Sequence, residues 1–114
     1  MKDDRVYLLH VLEAIRRIFA FTAEGEEAFL SDIKTQDAVV RNLEIIGEAV
    51  KNISGGLRQA HPAIPWKRIA GMRDKLIHEY FGVNLKLVFE VVRHDLPELH
   101  QSLQAILKEM NADD

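Results

Sequence analysis

Apolar residues recur every three or four positions along almost the whole chain, in long segments separated by short stretches rich in polar residues, glycine or proline. This spacing places apolar side chains on one face of a helix, whereas a half-buried strand alternates apolar and polar residues, and no convincing alternation occurs. The pattern therefore predicts an all-α fold. A chain of 114 residues is the size of one domain, so we expect a single helical domain over residues 1–114.

Capping residues, glycines and prolines indicate where the helices should begin and end. Pro97 should either kink the last helix or begin a separate segment, because proline cannot donate a backbone hydrogen bond. The expected helices cover residues 4–21, 26–30, 31–53, 66–81 and 84–110, with Asp4, Ser31 or Asp32, and Asn84 as caps, and with Ser54-Gly55-Gly56 and Gly82 as stop signals. Short connections favour antiparallel neighbours, so the simplest architecture is an up-and-down bundle of four main helices with short extra turns.

The composition excludes several classes of protein. Hydrophobic residues make up 47% and charged residues 29%, which is an ordinary globular balance and argues against disorder. The longest apolar runs span only a few residues, too short for a transmembrane helix or a signal peptide, so we expect a cytoplasmic protein without membrane contact. Cysteine is absent, which excludes disulfides, thiolate nucleophiles and cysteine–zinc sites.

The net charge of −3 disfavours an extended nucleic-acid surface, because backbone-driven binding relies on positive charge. The charge is unevenly distributed, however. Between residues 66 and 81 four basic residues stand against two acidic ones, a local charge of +2, whereas the chain is acidic elsewhere and closes on Asp113-Asp114. A focused basic region on an acidic body suits a small phosphate contact better than a long duplex groove.

The same segment carries Arg73, His78 and Tyr80 on one predicted helix. Arginine keeps its charge and its planar fork matches two phosphate oxygens, while histidine has the side chain that can exchange a proton near neutral pH. On an ideal helix Arg73 and Tyr80 are nearly eclipsed, but Arg73 and His78 diverge by about 140°. We therefore predict a two-fold homodimer that gathers an arginine and a histidine from each subunit around one cleft.

Asp74 lies four residues before His78, the spacing at which helical side chains meet, so its carboxylate can hold the imidazole and favour the charged form. Such a site suits RNA, because the neighbouring 2′-hydroxyl is an internal nucleophile that needs only deprotonation and alignment. No metal or other cofactor is expected. His78-Glu79 begins an H-E-x-x-H pattern, but Gly82 stands where the second histidine would be.

These residues also have a simpler interpretation. An arginine, an aspartate and a histidine are common on the solvent-exposed face of a helix and need have no catalytic role. The other four histidines are interpreted as surface or packing residues: His10, His61, His94 and His100. Trp66, directly after Pro65, is expected to be a core anchor at a helix start. The alternative function is a non-catalytic helical binding module.

Four signals in order give the chain a family resemblance: the pattern A-V-x-R-N-x-E-x-I-G-E-A over residues 38–49, Pro62, I-P-W over residues 64–66, and G-x-R-[ND]-x-x-x-H-x-Y-F over residues 71–81. These segments resemble the HepT-like branch of the HEPN superfamily, which comprises small all-helical ribonuclease toxins paired with a nucleotidyltransferase antitoxin of the MNT type. The resemblance covers nearly the whole chain. It implies an endoribonuclease toxin that leaves a 2′,3′-cyclic phosphate and forms a homodimer, alone or within a larger hetero-oligomer. The alternative function then becomes a non-catalytic helical module that binds a nucleotidyltransferase partner or a nucleotide.

By this resemblance Arg73 and His78 are the catalytic pair, and Asp74 is the polar residue that accompanies the arginine. Tyr80 is the residue whose hydroxyl the antitoxin modifies with AMP, which would place negative phosphate and bulk beside the arginine. Many relatives carry asparagine where this chain has Asp74, so an additional anion stands near the phosphate site.

The second long helix presents further candidates. Arg41 and Asn42 are predicted RNA contacts, and Glu44 and Glu48 could pair with basic residues across a dimer interface, although all four also fit a solvated surface. Gly47 lies in mid-helix, where glycine costs up to about 1 kcal/mol relative to alanine, so it is expected to permit close helix packing.

Overall fold

The structure, a computed structural model, describes residues 3–79 and 84–112 and, within them, every side chain except those of Arg73 and residues 76–79. This part of the chain is helical and contains no β-strand, which confirms the all-α prediction. The elements are α1 (Asp4–Phe21), α2 (Glu26–Ser31), α3 (Ile33–Lys51), α4 (Gly55–Ala60), α5 (Trp66–Glu79), α6 (Leu85–Glu90), a π-helical segment (Val91–Asp95) and α7 (Leu96–Ala112). None of these helices is long and apolar enough to cross a membrane.

The cap of α1 is Asp3, not Asp4 as the sequence suggested. The Asp3 carboxylate accepts a hydrogen bond from the Arg5 N–H at 2.9 Å, so Asp4 is the first residue inside the helix. Asp4 instead accepts hydrogen bonds from Ser54, at 2.8 Å from the backbone N–H and 2.6 Å from the hydroxyl. The start of α1 is thereby joined to the loop that follows α3.

Ser54 was expected only to mark the end of α3, but it also caps the helix that follows. Helix α3 ends at Lys51, and the Ser54 hydroxyl then accepts a hydrogen bond from the Leu57 N–H at 3.2 Å, which caps the short helix α4. The glycines after Ser54 therefore lie in the first turn of α4. At the other end of α3 the sequence offered Ser31 or Asp32 as the cap, and the cap is Asp32, whose carboxylate accepts a hydrogen bond from the Lys34 N–H at 3.0 Å.

The apolar faces of the helices form one buried cluster. Helix α3 packs against both α1 and α5, and α7 packs against α1. The largest fully buried side chains come from α1, α2, α3 and α7 and include all of the following: Leu8, Leu12, Ile15, Ile18, Phe29, Leu43, Ile46, Leu96 and Leu103. Because α3 contacts both neighbours, its position determines where the helix with the Arg73–His78 motif lies.

Pro97 lies at the start of a separate helical segment, which is one of the two outcomes expected from the sequence. It lies in the first turn of α7, where a missing N–H is tolerated. The turn before it is widened into a π-helix, and the Leu96 N–H reaches back to the carbonyl of Val91. Such wide turns occur where a regular hydrogen-bond ladder is interrupted, and the proline supplies that interruption.

Asn84 caps α6, as predicted, because its side-chain oxygen accepts hydrogen bonds from the N–H groups of Lys86 at 3.0 Å and Leu87 at 3.3 Å. Helix α5 begins at Trp66, also as predicted. The expected end of this helix at Phe81 and the stop at Gly82 lie outside the described residues.

Candidate active site

Helix α5 is fixed at its start by Trp66. The indole N–H donates a hydrogen bond of 2.9 Å to the carbonyl of His61, and only 6% of the residue is exposed. Burial of a large ring together with a satisfied polar edge is the usual environment of tryptophan in a core. The prediction that Trp66 is a core anchor is confirmed, and the anchor lies seven residues before Arg73 on the same helix.

Arg73 and His78 both lie on α5, five residues apart. Their side chains are outside the part of the chain that the structure describes, and so is the whole of Tyr80. The divergence of the two side chains and the dimer inferred from it therefore stay predictions. What the backbone establishes is a single continuous helix under both members of the pair.

Asp74 is held by a residue that the sequence did not indicate. The ammonium group of Lys51, in the last turn of α3, lies 3.2 Å from each oxygen of the Asp74 carboxylate. The two side chains are 38% and 52% exposed, so the ion pair lies at the surface where α3 and α5 meet. The contact between Asp74 and His78 stays a prediction. The ion pair with Lys51 is compatible with it, because a carboxylate can accept several hydrogen bonds.

No local spacing rule could have found Lys51, because it is separated from Asp74 by 23 positions. Rules for charged pairs on a helix concern residues three or four positions apart. The contact arises only once α3 packs along α5. It places a further positive charge next to the residue that follows Arg73.

The four candidates on α3 have different environments. Arg41 and Glu48 are exposed, and Arg41 forms an ion pair of 3.8 Å with Glu44 within the same helix. Asn42, by contrast, is only 6% exposed, and its amide donates to the carbonyl of Ala38 at 2.8 Å. Its side-chain oxygen is buried and has no hydrogen-bond partner among the residues that the structure describes. The fold therefore keeps Asn42 from solvent, whereas Arg41 remains accessible to a ligand. Gly47 is buried, as expected for a residue at a close helix contact.

Two other histidines have the structural environments expected of them. His100 is partly buried with its ring centroid 6.1 Å from that of Phe19, and burial, with a smaller contribution from Arg16, lowers its pKa. His94 is exposed on the π-helical segment, with its ring 3.0 Å from the Glu90 carboxylate. Packing explains the environment of His100, and a solvent-exposed contact with Glu90 explains that of His94.

A groove of about 830 Å³ runs between α5 and the stretch from α6 to α7. Ile69 and Met72 line it from α5, and Val91 and Leu99 line it from the other side. At its rim Arg68 and Asp95 form an ion pair of 3.8 Å, so the groove has an apolar floor and a charged edge. The groove could not be predicted from the sequence, because residues far apart along the chain form it.

The family model described as "Ribonuclease HepT-like" matches residues 11–106, which is most of the chain. The chain belongs to the HepT-like ribonuclease family. The match extends from α1 into α7 and includes both α3 and α5, so the Lys51–Asp74 contact and the Arg73–His78 motif lie inside it.

Two relatives illustrate how far the similarity extends. A protein of Thermococcus cleftensis named "Probable ribonuclease HepT" is 50% identical over 108 residues, covering 94% of this chain and 98% of that protein. The "mRNA nuclease HepT" of Shewanella oneidensis is 27% identical, covering 87% of this chain and 92% of that protein. No solved structure gave a significant match. The HepT-like assignment therefore rests on sequence similarity over most of the helical fold.

Proposed function

We propose that this HepT-like chain is a metal-independent endoribonuclease and the toxin of a toxin–antitoxin pair. One observation carries the proposal: a member of a ribonuclease family has both Arg73 and His78 on the single helix α5, which packs firmly onto α3. A fixed cation and a group that titrates near neutral pH are the two requirements for cleaving RNA without a metal.

In the proposed reaction the imidazole of His78 removes the proton from a 2′-hydroxyl, and the 2′-oxygen attacks the adjacent phosphorus. The guanidinium of Arg73 stabilises the negative charge that develops on the non-bridging oxygens. The bond from phosphorus to the 5′-oxygen then breaks, and the leaving oxygen takes a proton from the His78 imidazolium of the second subunit. The products are a 2′,3′-cyclic phosphate and a 5′-hydroxyl.

The proposed enzyme is a homodimer. An ideal helix directs residues 73 and 78 about 140° apart, which is unfavourable for two groups that must reach one phosphate. A two-fold axis near the end of α5 would let each subunit supply one member of each pair. In the proposed assembly the four long helices form the antiparallel bundle expected of a HEPN fold, and the dimer acts alone or bound to its antitoxin.

We also propose that a nucleotidyltransferase antitoxin of the MNT type controls the enzyme by transferring AMP to the hydroxyl of Tyr80. The added phosphate is negative and would compete with RNA for Arg73, so inhibition needs no refolding. Coexpression with such a nucleotidyltransferase should raise the intact mass of the chain by whole AMP units, and Tyr80→Phe should abolish the increase. An unmodified wild-type chain would argue against this regulation.

The decisive test of catalysis compares Arg73→Ala and His78→Ala with His10→Ala, a control at an exposed histidine on α1. Both motif variants should lose RNA cleavage, by about 10²-fold or more for the histidine, while circular dichroism and the dimer mass stay unchanged. Cleavage should persist in EDTA and leave cyclic phosphate ends, detected by mass spectrometry of the fragments. Equal cleavage in all three variants would leave the alternative function, a helical module that binds a nucleotidyltransferase or a nucleotide.

A further inference from the structure

We infer that Lys51 is a positioning residue of the proposed ribonuclease site, which balances the negative charge of Asp74 and keeps the region around Arg73 attractive to phosphate. The inference rests on the proposed function, because it names a further residue that this site needs. It follows from the contact between the last turn of α3 and the middle of α5.

The geometry is that of a charge-balancing pair. The Lys51 ammonium lies 3.2 Å from both Asp74 oxygens, so it is shared between them and does not favour one. Asp74 directly follows Arg73 in the chain. A carboxylate at that position, if left unbalanced, would repel an incoming phosphate and compete with it for the guanidinium.

Lys51 is held in place by the buried end of α3. Val50 is fully buried and Ile53 is 4% exposed, so the backbone on both sides of Lys51 is anchored in the core. The guanidinium of Arg58 also donates a hydrogen bond of 2.6 Å to the carbonyl of Val50. The lysine side chain therefore leaves a fixed point and reaches Asp74 across the contact between two packed helices.

Stability does not explain the pair. Both side chains are more than one-third exposed, and ion pairs between exposed side chains contribute little to folding because water and salt screen them. A charge near a phosphate site nevertheless acts on ligand affinity, since local potential determines how strongly an anion is attracted. The expected consequence of losing Lys51 is weaker RNA binding by a chain that remains folded.

The test is a charge cycle with Lys51→Met, Asp74→Asn and the double variant. Each single substitution changes the local charge by one, in opposite directions, and the double variant restores the balance of the wild type. One unit charge near a phosphate site at a protein surface changes phosphate affinity by roughly three- to tenfold. The KM for RNA should therefore increase in Lys51→Met, decrease in Asp74→Asn and return to near the wild-type value in the double variant. In Lys51→Met, kcat should change much less than KM.

Lys34→Met is the matched control, because Lys34 is an exposed lysine on the same helix, about 25 Å from Lys51 along the axis. It removes the same charge far from Asp74 and should leave KM unchanged. The effect of Lys51→Met should also shrink in about 1 M salt, where the screening length falls to about 3 Å. A merely structural role of Lys51 would show neither the opposite signs nor the salt dependence.

Affinity for an RNA with 2′-O-methyl groups, measured by fluorescence anisotropy, separates this inference from the proposed function. If the wild type binds this RNA and the variants follow the expected order without any cleavage of ordinary RNA, the charge balance holds and the ribonuclease proposal fails. If the wild type cleaves RNA but Lys51→Met behaves like Lys34→Met, the inference about Lys51 is overturned. Absence of both binding and cleavage in the wild type would overturn both.

Discussion

Replacement of Trp66 should show how strongly the start of α5 is fixed. The residue is 6% exposed and its indole N–H donates to the His61 carbonyl at 2.9 Å, so substitution removes both packing and a hydrogen bond. Three variants separate the contributions. Trp66→Ala removes both, Trp66→Phe retains an aromatic ring but removes the donor, and His61→Ala retains the backbone carbonyl that accepts the bond.

The magnitude follows from the buried area. A tryptophan buries about 150–250 Å², which at about 25 cal/mol per Å² is about 4–6 kcal/mol. Compact unfolded chains reduce that figure to about 3–5 kcal/mol, and the hydrogen bond adds about 1 kcal/mol. We therefore expect Trp66→Ala to lose about 4–6 kcal/mol of unfolding free energy and Trp66→Phe about 1–2 kcal/mol. His61→Ala should change it by less than about 0.5 kcal/mol.

Urea unfolding followed by far-ultraviolet circular dichroism measures these differences, because the midpoint shifts while the slope m stays constant if only stability changes. The wild type and His61→Ala can also be followed by fluorescence, since Trp66 is the only tryptophan in the chain. A loss below about 1 kcal/mol in Trp66→Ala would refute the reasoning that Trp66 anchors α5. Equal losses in His61→Ala and Trp66→Phe would show that the imidazole, not the carbonyl, provides the contact.

Three further substitutions test other parts of the fold. Burial and Arg16 lower the pKa of His100, so the unfolded chain takes up the proton at a higher pH than the folded chain does. The free energy of unfolding, measured with urea, should therefore decrease as the pH falls below 6.5. His100→Gln should make this decrease smaller. Ser54→Ala removes the cap of α4 and the hydroxyl bond to Asp4, and should lower the unfolding free energy by about 1 kcal/mol in the same assay. Leu103→Ala, at a fully buried position, should lower it by about 2–5 kcal/mol, whereas an unchanged urea midpoint would contradict its place in the core.

The features that the sequence predicted well are those that depend on a few neighbouring residues. Asn84 is predicted as a cap, and Asp32 as one of two candidate caps beside Ser31, because a short acceptor side chain before an apolar helix can satisfy its first N–H groups. The periodicity of apolar residues predicted the long helices for the same reason. Asp3 and Asp4 show the limit of such reasoning, because two adjacent acceptors are equally suitable and the contact with Ser54 distinguishes them.

The features that the sequence could not predict depend on how the helices pack. Asp4 and Ser54 are 50 positions apart, and Lys51 and Asp74 are 23 apart. Neither pair follows a helical spacing, so neither leaves a periodic signal. Pro97 marked an interruption between α6 and α7, but the widened turn that absorbs it follows from backbone hydrogen bonding and not from residue type alone.

The candidate site therefore depends on α3 as much as on α5. Lys51 is next to Val50, which is fully buried, so a change that shifts the end of α3 within the core would also move the ammonium away from Asp74. Interiors are close-packed and transmit such shifts. A truncation such as Val50→Ala should accordingly weaken RNA binding as well as stability, whereas Leu103→Ala, on α7, should reduce stability alone. Val50 and Leu103 are both buried, so both variants lose stability. Comparing their affinities for RNA therefore separates the effect of shifting the end of α3 from the effect of lost stability.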